Sequence, residues 1–227
     1  MFGRRAWLVG CAATLALAVM PIGSPGSSAE TAYEPPTGTV EYAIHHSKYD
    51  RIGTHSVSFS RNGDELVVTT VIHIKVKLLF ITAHSLESKR REVWRGGRLV
   101  SYRADTDENG EIFTVKADMD NDGLVVEGPN GTARADGPVF PTHPWNPEIV
   151  TQTLLMETKT GELLNVLTRA DGEEVIEVAG RPVPTRRYVM SGGLERELWY
   201  DEQGNWIQLR FKQDGATVTF TRTTPFR

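Results

Sequence analysis

The sequence predicts a mainly all-β fold: a long antiparallel meander of about a dozen strands forming a curved sheet or barrel, with one short helix near 147–157. Three observations carry this expectation. Apolar and polar residues alternate over most of the chain after Gly38, which is the period of a half-buried strand. Turn dipeptides such as Asn62-Gly63, Asp171-Gly172 and Asp214-Gly215 recur at short intervals, where positive φ is tolerated and hairpins form. Helix-starting chemistry is found at one place, where Asn146 is a good N-cap, Pro147 suits the first helical position and Glu148 complements the dipole.

Residues 1–29 precede the strands and have a different logic. Arg4 and Arg5 are followed by the uncharged run Ala6 to Met20, then by Pro21 and the small residues of Ser27-Ser28-Ala29. Charge, apolar core and small-residue cut in that order read as a secretory signal peptide. Residues 30–227 then form a single β-rich domain, exported to the periplasm or secreted. Leu8-Val9-Gly10-Cys11 resembles a lipobox that would anchor the chain through Cys11, but the apolar run continues past the cysteine to Met20. Arg4-Arg5 also resembles a twin-arginine signal, although Gly3 stands where Ser or Thr is usual.

The strands follow in order. Val40, Tyr42 and Ile44 share one face of the first, and His55, Val57 and Phe59 share one face of the second. If the first hairpin turns near Tyr49-Asp50, His45 lies roughly opposite His55, and counting back from Asn62-Gly63 places His73 near Ile52. Glu65 to His84 reads as one extended run, with Val68, Ile72, Ile74, Val76, Leu78 and Phe80 on one face. At ~3.3 Å per residue it would exceed ~60 Å, so it must bend or bulge. Glu87–Arg95 and Arg98–Ala104 flank Gly96-Gly97, while Glu111–Ala117 and Leu124–Glu127 flank an Asp-rich turn. Gly128–Pro144 reads as loop. After the helix come Glu162–Thr168, Glu174–Val178, Val183–Met190, Leu194–Tyr200, Asn205–Lys212 and Ala216–Thr221. In the strand from Asn205, Ile207, Leu209 and Phe211 share the apolar face, and Trp206 is expected to be partly exposed at the strand end.

Composition narrows function by exclusion. The one cysteine, Cys11, lies within the signal, so the exported domain has no disulfide and no thiol chemistry. With 25 basic and 29 acidic residues, and Arg4 and Arg5 removed with the signal, 23 minus 29 leaves a charge of −6, which disfavours nucleic acid as a partner. After Met20 no apolar run approaches a membrane helix, so the domain is not integral to the membrane.

The candidate constellations are mostly structural. Of the histidines, His45 and His46 are strand neighbours on opposite faces, and no short His pair supports a metal site. Asp105 to Gly110 and Asp118 to Gly123 fit the opening half of a calcium loop, but the twelfth positions hold Lys116 and Pro129 rather than Glu, so they read as hairpin turns. Lys89, Arg90, Arg91, Arg95 and Arg98 make a basic stretch that a strand would split between two faces. The sequence names no catalytic residue, no metal ligand set, no cofactor and no defined ligand-binding residue.

The string Leu198-Trp199-Tyr200-Asp201-Glu202-Gln203-Gly204-Asn205-Trp206 carries a resemblance, with Tyr42-Ala43-Ile44, Ile52-Gly53-Thr54-His55, Glu92-Val93-Trp94-Arg95-Gly96-Gly97 and Asn109-Gly110. Together they resemble an exported bacterial family known as a domain of unknown function. More distantly, the chain is similar to the half-barrel sheets of periplasmic lipoprotein carriers. That resemblance implies a curved β-sheet and supplies no catalytic residue. The expected function is a non-enzymatic binding module for an apolar or amphipathic ligand such as a lipid. An envelope hydrolase using His55, His143, Glu197 or Asp201 is the second reading, and a structural or interaction protein of the envelope is the third.

Overall fold

The computed structural model describes residues 33–78 and 81–226, with the side chains of residues 78 and 81 left aside. The signal reading of 1–29, with Cys11, lies outside these residues. Fifteen strands form one mainly antiparallel sheet. They are β1 (Gly38–His46), β2 (Asp50–Asn62), β3 (Glu65–Leu78), β4 (Ile81–Arg95), β5 (Arg98–Glu108), β6 (Glu111–Asp120), β7 (Gly123–Gly128), β8 (Gly131–Ala135), β9 (Phe140–Pro141), β10 (Leu154–Met156), β11 (Leu163–Val178), β12 (Arg181–Gly192), β13 (Arg196–Tyr200), β14 (Trp206–Gln213) and β15 (Ala216–Arg222).

Their spatial order runs from β8 back to β1, across to β15, and back again to β9. The outermost strands are therefore β8 and β9, which four residues connect. A flat sheet of this width would hold its edges ~65 Å apart at ~4.8 Å per strand. The chain from Ala135 to Phe140 reaches at most ~18 Å. The sheet must curl until its edges meet, which makes it barrel-like. At the seam Gly128 lies against Thr160, whose carbonyl oxygen would be 2.1 Å from an added Cβ, so a larger residue would push the two apart.

Three expectations are corrected. The run from Glu65 to His84 is two strands, β3 and β4, which reverse direction between Leu78 and Ile81. The reversal falls in the apolar stretch Leu78-Leu79-Phe80-Ile81, which has no turn residue to reveal it. The helix is a 3₁₀ turn over Pro147–Thr151, with Asn146 capping it through the Glu148 N–H. It stops there because Leu154–Met156 leaves as β10, burying Leu155 and Met156 between β9 and β11. Asp171-Gly172 is not a hairpin turn: Ala170 pairs Tyr188 and Glu173 pairs Arg186, so two residues oppose Arg187 as a bulge in the continuous strand β11.

The core lies inside the curl and joins Val40, Tyr42, Ile44, Val57, Val68, Trp94, Tyr102, Leu124, Leu198, Leu209 and Phe220. Trp206 corrects another expectation, because it is 2% exposed and faces inward with Leu209. Tyr200 pairs Trp206 while Trp199 pairs Gln208, leaving Ile207 as an extra residue. That bulge changes the parity of the strand, so Trp206 and Leu209 share the interior and Ile207 joins Trp199 in a second cluster with Ile176 and Val178.

Candidate functional site

The most buried irregular stretch is residues 139–146, of which 139–144 lay inside the expected loop Gly128–Pro144. All eight residues are buried. This segment enters the interior as a plug. Backbone inside a core needs partners for its polar groups. Pro141 and Pro144 have no N–H to satisfy. The Thr142 N–H donates to the Met156 carbonyl at 2.9 Å. Arg196 Nη1 donates to the Thr142 carbonyl at 2.8 Å, and Tyr200 Oη donates to that of Pro144 at 2.9 Å.

The plug is fastened to β4 through Glu92, whose exposure is 0%. Trp94 Nε1 from the same strand and Trp145 Nε1 from the plug each donate to Glu92 Oε2 at 2.8 Å. His143 Nδ1 lies 3.1 Å from Glu92 Oε1 and 3.3 Å from Thr70 Oγ1. A carboxylate only accepts, so Nδ1 carries the proton and His143 Nε2 is the acceptor for His55 Nε2–H at 3.2 Å. His55 Nδ1 is left as a buried acceptor without a partner, and Trp206 Nε1 beside it is a donor without one. Burial holds the pKa of His143 below the ordinary value of 6.5, against the pull of Glu92. Burial, reinforced by His143 and Arg90, holds His55 well below it.

The four residues considered for hydrolysis therefore separate. His55 and His143 meet, but inside the core at 3% and 4% exposure, next to Glu92, which the hydrolase reading did not include. Glu197 is bidentate with Arg210 at 2.6 and 3.0 Å, and that hydrogen bonding lowers its pKa. Asp201 holds its own turn, accepting from Gln203 N, Asn205 N and Asn205 Nδ2. The histidine registers also differ from expectation: Tyr42 stands opposite His55, Arg51 opposite His45, and Thr54 opposite His73. The turns fall elsewhere than the counts assumed: Asn62 pairs Glu65, so Gly63-Asp64 make that turn, and His46 pairs Asp50, so the first turn comes before Asp50, with a further register shift between Ile44 and His45.

The Asp-rich turns are hairpin connections. Asp107 accepts from Gly110 N at 2.7 Å, and Asp120 accepts from Asp122 N at 2.9 Å while pairing with Arg134. Among the described residues no group of three or more His, Cys, Asp or Glu is placed to hold a metal ion. The basic stretch splits as a strand requires, with Lys89 and Arg91 exposed outside and Arg90 half-buried inside.

Several clefts open at the surface of the described residues, one of about 720 Å³ beside Gly53 and His73. Another, about 600 Å³, lies beside Pro147, Pro184, Tyr188 and Tyr200. Its deeper polar atoms are already committed, the Tyr200 hydroxyl to Pro144 and the Asp201 carboxylate to its turn. A further cleft, about 410 Å³, includes Met190, Arg196, Phe211 and Lys212, with Glu195 and Glu197 at its wall. There the Arg196 guanidinium lies 5.6 Å from the centre of the Phe211 ring, a cation–π contact. This pairing of apolar and cationic groups is the candidate binding site.

Fold and interior define a class: a barrel-like antiparallel sheet whose interior is filled by a buried segment of its own chain. A family model described as "Domain of unknown function (DUF6134)" matches residues 42–223, and the chain belongs to that family. A crystal structure described as a beta-barrel-like protein of domain of unknown function DUF1849 from Brucella abortus is similar in fold, with a TM-score of 0.58 and 10% identity over 83% of this chain and 98% of that one. No curated protein matches the chain. Among the described residues no helix is long and apolar enough to cross a membrane.

Proposed function

We propose that this domain is a non-enzymatic binding module for an amphipathic small molecule, acting after export from the cytoplasm. The carrying observation is the cleft in which Met190 and Phe211 adjoin the half-buried Arg196. A volume of about 410 Å³ falls within the range of small-molecule sites. The plug and its aromatic neighbours occupy the interior, so the ligand would sit at this cleft rather than deep inside the sheet. The arrangement of charge, apolar run and small residues in 1–29 supports export.

Titration calorimetry with decyl compounds that differ only in their heads tests the reading. At least one is expected to bind, and Phe211→Ala is expected to weaken it. If none binds below its micelle concentration, the reading is wrong.

A further inference from the structure

We infer that the free edge of β11 at residues 173–177 docks an extended peptide segment with the pattern basic-x-apolar-x-basic. The inference goes beyond the small-molecule reading and uses another part of the sheet. β10 covers β11 only at residues 163–165, where Met156, Leu155 and Leu154 pair with it. From Val166 onward β11 pairs with β12 alone among the described residues. On its other side Val166 N still donates to the Thr153 carbonyl at 2.9 Å, and no backbone bond follows among the described residues. The bulge at Asp171-Gly172 bounds this edge at one end, and the turn at Ala179-Gly180 bounds it at the other.

The prolines of β12 reveal which backbone groups point outward. In an antiparallel pair, directly opposed residues alternate between those that exchange both N–H···O bonds and those that exchange none. Pro184 stands opposite Val175, and Pro182 opposite Glu177. Proline has no N–H, so these are the pairs that exchange none. The N–H and C=O of Val175 and Glu177, and by alternation those of Glu173, therefore face away from β12. Glu174 belongs to the bonded set, and its carbonyl also accepts from Thr185 Oγ1 on β12.

The side chains of Glu173, Val175 and Glu177 share one face of the strand. Val175 is 63% exposed, although it is apolar. Glu173 and Glu177 have no cation within 4.0 Å among the described residues. Glu173 and Val175 open on the cleft of about 600 Å³, whose charged groups are Glu173, Glu174, Asp201 and Glu202 against Arg186. Arg186 stands opposite Glu173 in the ladder, but its guanidinium lies 5.9 Å from the centre of the Tyr188 ring. Glu174 accepts from Trp199, and Asp201 holds its turn. Arg169 and Arg187, at the bulge, are paired with Asp171, and Arg181 projects from the opposite face. The free charge beside Val175 is therefore negative. Cross-strand neighbours stabilise each other when apolar meets apolar and opposite charges meet. A strand laid antiparallel on this edge fits with basic residues opposite Glu173 and Glu177 and an apolar one opposite Val175. A second copy is turned away, because self-pairing about Val175 sets Glu173 against Glu177. In strand addition of this kind, main-chain bonds supply affinity and alternate side chains supply selectivity.

The test is fluorescence anisotropy of the purified protein with the labelled peptides Thr-Lys-Thr-Val-Thr-Lys-Thr and Thr-Glu-Thr-Val-Thr-Glu-Thr. The lysine peptide is expected to bind about tenfold more tightly than the glutamate peptide, or better. Methylating its valine amide nitrogen, whose N–H would donate to the Val175 carbonyl, should weaken it by about fivefold or more. Methylating the amide of the threonine that follows, which faces away from β11, should change it by less than about twofold. On the protein, Glu173→Lys together with Glu177→Lys should reverse the preference between the peptides. Val175→Pro should weaken the lysine peptide, since it removes an outward N–H that β12 does not use. Circular dichroism checks that both variants fold, and if either does not, the peptide series on the unaltered protein decides. Equal binding of the two peptides would overturn the proposal, as would no binding of either below about 1 mM. A lysine peptide that tolerates methylation of its valine amide, or that the charge-reversed protein still prefers, binds elsewhere, and the edge of β11 is then not its site.

Discussion

Two indole–carboxylate pairs sit on opposite faces of the same sheet, and their surroundings separate a fastening from an ornament. Inside, Glu92 accepts from Trp94 and Trp145 and faces His143, with no exposure to water. Outside, Glu174 accepts from Trp199 Nε1 at 2.9 Å but remains exposed. Trp199 is itself fully buried, under Val183 and Phe226 and beneath the Arg210 guanidinium 4.7 Å from its ring centre. A carboxylate with water available loses little when its protein partner goes. One without water must be saturated by protein donors, and those donors are then bound in place. For Glu92 they come from β4 and from the plug, so a single side chain joins the two.

The largest effect should come from removing that join. Glu92→Ala leaves two buried indole N–H groups unpaired and His143 Nδ1 with only the Thr70 hydroxyl, and is expected to cost about 2–5 kcal/mol, at about 1–3 kcal/mol for each buried donor without an acceptor. Urea unfolding measures it, and a loss below ~1 kcal/mol would show that Glu92 does not hold the plug. Next come Trp206→Ala at about 3–5 kcal/mol and Leu209→Ala at about 2–5 kcal/mol, since both side chains are in the interior. A near-neutral Trp206→Ala beside a costly Leu209→Ala would argue against the bulge at Ile207.

Acid should act through the same interior. His55 and His143 are held below 6.5 in the fold, so the unfolded chain takes up protons first as pH falls. Stability is complete above about pH 6.5 and declines below it, by about 1.4 kcal/mol per pH unit for each histidine until it titrates in the fold. Unfolding midpoints at pH 7.5 and 5.5 check this. His55→Phe or His143→Phe should flatten the slope, and a flat profile in the unaltered protein would contradict the buried neutral pair. Glu157, whose pKa is also lowered despite burial, through hydrogen bonds from Thr160 and Lys159, contributes stability lost only at more acid pH, below about 4.5. The smallest effect should be Glu174→Ala, at most ~1 kcal/mol, because its carboxylate is wet. A larger loss would erase the contrast between the two faces.

Much of the fold was legible because strand alternation and turn chemistry are local. The Asp214-Gly215 hairpin stands as expected, as does the Asn146 cap, and the hairpin foreseen at Asn62-Gly63 turns one residue later, at Gly63-Asp64. What was hidden depends on register or on distant contacts. The reversal between β3 and β4 falls in a stretch without turn residues, and one extra residue at Ile207 reverses which side Trp206 faces. Glu92 escaped notice because Ser88, Arg90, Glu92 and Trp94 on one face and Lys89, Arg91 and Val93 on the other give no apolar alternation from which to choose the interior. The plug looked like loop because prolines and polar residues mark loops, and the same prolines are what let backbone lie inside with few donors to satisfy.

The path of the chain around the sheet is a cyclic rotation of its spatial order: read from β9 through β15 and on from β1 to β8, every neighbour in space except β15 and β1 is a neighbour in sequence. The first and last strands accordingly lie mid-sheet, where Thr223 N donates to the Glu41 carbonyl at 2.8 Å. Apart from the short parallel pair β9–β10, the pairing of β1 with β15 is the one that local hairpin growth cannot supply, and it brings together strands far apart in sequence. A circular permutant opened within residues 136–138, with the ends near Thr37 and Pro225 joined by a short linker, would turn that long-range closure into another hairpin. The one long-range pairing of neighbouring hairpins is thus set by the order in which the strands are threaded, not by the architecture they form.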